Sequence, residues 1–167
     1  MVSPMAKRQL PLLNASPDDN QETRPPWHWV GFGAVLVFAS WMPLALLAQS
    51  IASRLSVLPP SDSPAEAASH FWALDPAART HQIATMAIPH ALALAIAAFG
   101  AGYVVGRFGD RTGTREAAIA GFAAALVAVL LALASAGISW PPFIVLVWTP
   151  AWSALGGRTG VRARATP

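Results

Sequence analysis

A chain of 167 residues with 54% hydrophobic and only 11% charged side chains has too few charges to coat a water-soluble globule, where about a quarter is usual. It holds no cysteine, which excludes disulfide frameworks, thiolate metal sites and cysteine nucleophiles. Its net charge of +3 is dispersed in short clusters with no interleaved aromatic platform, which argues against a nucleic-acid partner.

The chain opens on a tail, residues 1–26, whose stretch SPDDNQETRPP has nothing to bury and is expected to be disordered on the cytoplasmic side. No Asp, Glu, Lys or Arg then occurs between Arg24 and Arg54, between Arg79 and Arg107, or between Glu116 and Arg158. A bilayer core takes roughly 20 apolar residues per helical span. The first two blocks therefore predict one span each, and the third, broken by AGISWPP with its Gly, Trp and two prolines, predicts a hairpin of two. The fold class expected is all-α: a polytopic four-transmembrane-helix bundle over 27–157, with spans at about 29–50, 80–106, 117–135 and 142–157. The first apolar run follows a long polar tail and exceeds a signal peptide's core, so it is expected to stay as an anchor.

Between the first two spans, in the connection 54–79, Ser63-Pro64-Ala65-Glu66 has the form of a capping box with Pro at the first helical position. It predicts a short helix to about Leu74 that lays Ala67, Phe71, Trp72 and Leu74 on the membrane surface. Asp75-Pro76 starts the next helix, with Arg79 one turn on and placed to pair with Asp75. The second and third spans each carry small residues at spacings of three and four. Ala91, Ala95, Ala98, Gly102 and Gly106 face the stripe Ala117, Gly121, Ala125, Ala128, Ala132 and Ala136 in an expected tight antiparallel hairpin. Self-association through one stripe is the alternative.

Pro43, Pro89 and Pro150 interrupt three spans and free the carbonyls of Ala39, Thr85 and Leu146. Gln49, Ser50, Gln82, Thr85, His90 and Thr149 lie in the same outer half of the membrane, so an outward polar vestibule is predicted there, with His90 as its ionisable group. A neutral His90 that only satisfies a freed carbonyl is the plainer reading. No second buried imidazole is available for a haem, and His70, Asp75 and His81 make only a loose external set, so no cofactor and no metal are expected. No span carries a carboxylate or a cation and no nucleophile motif is present, which argues against an enzyme.

Cations set the threading. Lys7, Arg8, Arg24, Arg107, Arg111, Arg115, Arg158, Arg162 and Arg164 fall on one side of the predicted spans, and only Arg54 and Arg79 on the other. The positive-inside rule then puts both termini in the cytoplasm of a bacterial-type inner, plasma membrane, with 158–167 as a basic tail.

Between the second and third spans, Gly106, Asp110, Arg111, Gly113 and Arg115 stand as G-x-x-x-D-R-x-G-x-R, which resembles the cytoplasmic loop motif of major facilitator transporters. The resemblance implies a gating loop pivoting on Asp110. It covers about ten residues, and four spans stand where that family has twelve, so no family is assigned. The tail string GGRTGVR, 156–162, echoes GDRTGTR, 109–115. A plain reading has Gly turning the chain, Arg anchoring it, and Thr and Asp capping the helix that follows; a duplicated hairpin is the alternative. The function expected is that of a structural or accessory subunit, packing against itself or a larger membrane complex within the lipid bilayer. The alternative is a small oligomeric transporter or channel using the vestibule around His90.

Overall fold

A computed structural model describes residues 27–109, 113–136 and 141–164. The predicted tail 1–26, Asp110 and Arg111 of the loop motif, and most of the AGISWPP turn lie outside the described residues. Five helices follow in order: α1 Trp27–Leu55, α2 Pro64–Ala73, α3 Pro76–Phe108, α4 Thr114–Ala136 and α5 Pro141–Arg164. Among the described residues all regular structure is helical. α1, α3 and α4 are long and apolar enough to cross a membrane. α5, at 24 residues, has the length, about 36 Å at 1.5 Å per residue, but its hydropathy is diluted by Pro150, Trp152, Ser153 and paired glycines.

The two caps read from the sequence form. Ser63 Oγ accepts from the Glu66 N–H at 3.1 Å, and Glu66 Oε2 accepts from Asp62 N–H, one residue ahead of the usual partner. Asp75 Oδ1 accepts from both Ala77 N–H and Ala78 N–H, at 2.9 and 3.0 Å, opening α3 behind Pro76.

α5 lies along the groove between α3 and α4, and α1 packs on the same pair from the other side, with little direct contact between α1 and α5. The packing is inverted relative to a water-soluble bundle. Among the described residues nothing apolar larger than valine is buried, while Leu46, Ile96, Leu131 and Val147 stand 60% or more exposed. Small residues inside and branched ones outside suit a lipid surround, where close backbone approach, not hydrophobic drive, holds helices together.

Two expectations need correction. The α3 and α4 stripes do not pair mainly with each other, because α5 enters between them with small residues of its own. Gly102 and Gly106 abut the backbones of Ser153 and Gly157, and Gly121 abuts Ser153 and the Thr149 carbonyl, all on α5. The helix expected at 142–157, α5, does not end at 157 in a basic tail but continues to Arg164. Each helical glycine costs about 1 kcal/mol in propensity, yet Gly156, Gly157 and Gly160 are buried against α3 and α4, where no side chain would fit. Of the two echoing strings, 156–162 is wholly helical, while 109–115 runs from the end of α3 to the first turn of α4 and lies partly outside the described residues.

Candidate functional site

At the end of the bundle bearing Arg107 and Arg164, hereafter the arginine end, α3 and α5 run parallel and interlock from both sides. Gly102 and Gly106 of α3 leave room for the α5 backbone at Ser153 and Gly157. Gly156 and Gly160 of α5 leave room for the α3 backbone at Phe99 and Tyr103. The interface closes with exchanged caps: Arg107 donates to the Ala163 carbonyl, and Arg164 to the Gly106 carbonyl. Both helices end here with carbonyls unmet by their own N–H groups, so each cation also sits where the helix dipole is negative. Ser153 Oγ donates to the Ala117 carbonyl at 2.7 Å and fastens α5 to α4.

The loop motif is described only in part. Glu116 Oε2 accepts from Gly113 N–H at 2.7 Å, which makes Gly113 the cap position of α4 with Glu116 reaching back to it; Asp110 and Thr112, expected to cap, lie outside the described residues. Arg115 is exposed on the first turn.

The predicted vestibule residues lie toward the end of the bundle that carries α2. Gln82 is 2% exposed. Its amide donates to Ser56 Oγ at 2.9 Å and accepts from Val57 N–H at 3.0 Å, tying the exit of α1 to α3. His90 Nδ1 lies 2.8 Å from the Met86 carbonyl one turn back. A carbonyl only accepts, so this contact holds the proton on Nδ1 and spends it on His90's own helix. Thr85 is half-buried and Gln49 is exposed. Gln49, Thr85 and His90 line neither the central cavity nor the α2–α3 groove described next. Arg79 does not pair with Asp75. Its Nε and Nη2 donate to the Leu74 carbonyl at 3.2 and 3.0 Å, and its guanidinium lies 5.4 Å from the centre of the Trp72 ring.

About halfway along the bundle is a cavity of about 90 Å³, walled by Phe38 and Trp41 of α1, Leu94 of α3, Ala125 and Ala128 of α4 and Thr149 of α5. Thr149 is 1% exposed and its hydroxyl has no hydrogen-bond partner. A second, open groove of about 570 Å³ separates α2 from α3. Ala125, named from the sequence as a packing residue, is buried at the cavity wall. Thr149 was expected among the polar residues of the vestibule and instead lines the central cavity; Ser153, Gly156 and Gly160 were not anticipated as packing residues. The spacing of these residues, four, three and four from Thr149 on, was legible, but the arginines among them read as a tail.

Against known proteins, no family model matches the chain, and neither do any curated proteins or solved structures. The reading below therefore stands on this chain's own geometry.

Proposed function

We propose that the protein is a four-span integral membrane protein of a bacterial-type inner, plasma membrane, with both termini cytoplasmic, that works as a structural or accessory subunit. It acts by packing against copies of itself or a larger membrane complex, not by catalysis. One observation carries this reading: the polar side chains within the long helices are largely spent on the fold, while the outer surface is a near-continuous apolar coat. Gln82 serves the α1 exit, Ser153 serves α4, and Ser40 and His90 each bond a carbonyl of their own helix. Phe32, Met42, Leu92, Phe122, Leu130 and Val147 face outward and offer only lipid-like or helix-docking chemistry.

Supporting the fourth span is the fit of α5 between α3 and α4, since a helix lodged parallel to a spanning neighbour along the Gly102–Gly106 run shares its depth. The cation asymmetry supports the orientation: Arg107, Arg115, Arg158, Arg162 and Arg164 cluster at the end opposite Arg54 and Arg79.

Purification in mild detergent tests the functional reading. A stoichiometric membrane partner or a defined homo-oligomer is expected. A monomer without partners, together with pH-dependent flux in liposomes that His90→Ala abolishes, would replace it with the transporter reading.

A further inference from the structure

α2 is the element that the bundle leaves uncovered. It has no buried residue, yet Phe71 and Trp72 turn toward Ile83, Met86 and Ala87 of α3 across the open groove. An amphipathic helix held off its neighbour with its apolar side unfilled needs an occupant. Water is a poor one, because a held water needs two to four polar partners, and of the lining side chains with polar atoms Gln82 is engaged with Ser56 and Val57 and Trp72 offers one indole N–H. The groove is open, and Ile83 on its α3 wall and Trp72 on its α2 wall are both more than half exposed. Apolar chains of the bilayer therefore reach it without crossing a polar barrier.

Its rim carries a fixed cation. Arg79 lies against Trp72, a groove-lining ring, and its two bonds to the Leu74 carbonyl hold the guanidinium plane in place. Those bonds use two of its five N–H donors. The nearby carboxylates are occupied at helix starts, Asp75 by Ala77 and Ala78 N–H and Glu66 by Asp62 N–H. A pre-oriented guanidinium with unspent donors matches a phosphate oxygen.

We propose that the groove between α2 and α3 binds one phospholipid, with an acyl chain between Phe71, Trp72 and Met86 and its phosphate on Arg79. This rests on the membrane reading above and goes beyond it, because it assigns a lipid to a site and not to the general surround.

The test is native mass spectrometry of the full chain in detergent, with palmitoyl-oleoyl phosphatidylglycerol or the matching diacylglycerol added. Wild type is expected to retain one phospholipid under activation that strips the diacylglycerol. Arg79→Gln removes the charge-assisted bonds and is expected to lower the retained fraction about tenfold. Ala68→Trp fills the groove and is expected to lower it as far with Arg79 intact, which covers the case that Arg79→Gln merely loosens α2. Arg54→Gln, an exposed cation at the same end, is expected to change nothing. Equal retention in wild type, Arg79→Gln and Ala68→Trp overturns the proposal, as does equal retention of diacylglycerol or an equal loss in Arg54→Gln. A chain that stays in the membrane fraction but fails these tests refutes the lipid site alone; one recovered outside membranes refutes the reading beneath it.

Discussion

The two halves of the bundle are held by different means. At the arginine end, helices touch backbone to backbone through Gly102, Gly106, Gly121, Gly156 and Gly160. Toward the α2 end the contacts pass through side chains, Gln82 to Ser56 and Trp148 Nε1 to the Ala91 carbonyl at 3.2 Å, and space is left in the central cavity and the α2 groove. In hydrocarbon, apolar side chains gain little by leaving lipid for one another, so the close-packed glycine half must carry most of the helix association. The other half is free to hold prolines, polar bonds and voids.

The sharpest way to break this contrast is to put bulk into the glycine half. Gly102→Leu drives a side chain into the Ser153 backbone, and is expected to cost about 3 kcal/mol or more, read as loss of helicity at lower denaturing detergent in bicelles. Gln82→Leu in the other half removes two bonds and strands the Val57 N–H, which is expected to cost about 1–3 kcal/mol. Ser153→Ala loses the bond to Ala117, at about 0.6–1.7 kcal/mol by the range for interhelical bonds in membranes. Thr149→Val has the opposite sign, because the buried hydroxyl has no partner; a gain of about 1 kcal/mol is expected in the same unfolding assay. The smallest effect is expected from Gly100→Ala, where an added Cβ meets nothing within 4 Å; helix propensity alone gives at most about 1 kcal/mol of stabilisation. If Gly100→Ala cost as much as Gly102→Leu, the contrast between the halves would fail.

Much of this was legible in the chain itself. Uninterrupted apolar blocks marked α1, α3 and α4, and Ser63-Pro64 and Asp75-Pro76 marked the starts of α2 and α3 almost to the residue, because caps are local chemistry. Partner choice was not legible. Gly102 and Gly106 advertise a close approach without saying to which helix, and the abundance of alanine on α4 made the nearest chain neighbour look sufficient. The extension of α5 was hidden because Gly156, Gly157 and Gly160 break helices in water and Arg158, Arg162 and Arg164 look like a solvated tail. Packing against α3 and α4, with Arg107 and Arg164 exchanging caps, favours the helix there. Face was harder to read than depth: Thr85 and His90 share α3 but stand five residues apart, about 140° around the helix.

The account depends on α5 crossing beside α3, so that Arg115 and Arg162 emerge on one side and the α2 segment on the other. The native chain has no cysteine, so single substitutions report without background. In intact cells, a membrane-impermeant maleimide is expected to label Ser61→Cys and Ser69→Cys and to leave Arg115→Cys and Arg162→Cys unlabelled until the membrane is opened. Labelling of Arg162→Cys from outside while Arg115→Cys stays protected would contradict it.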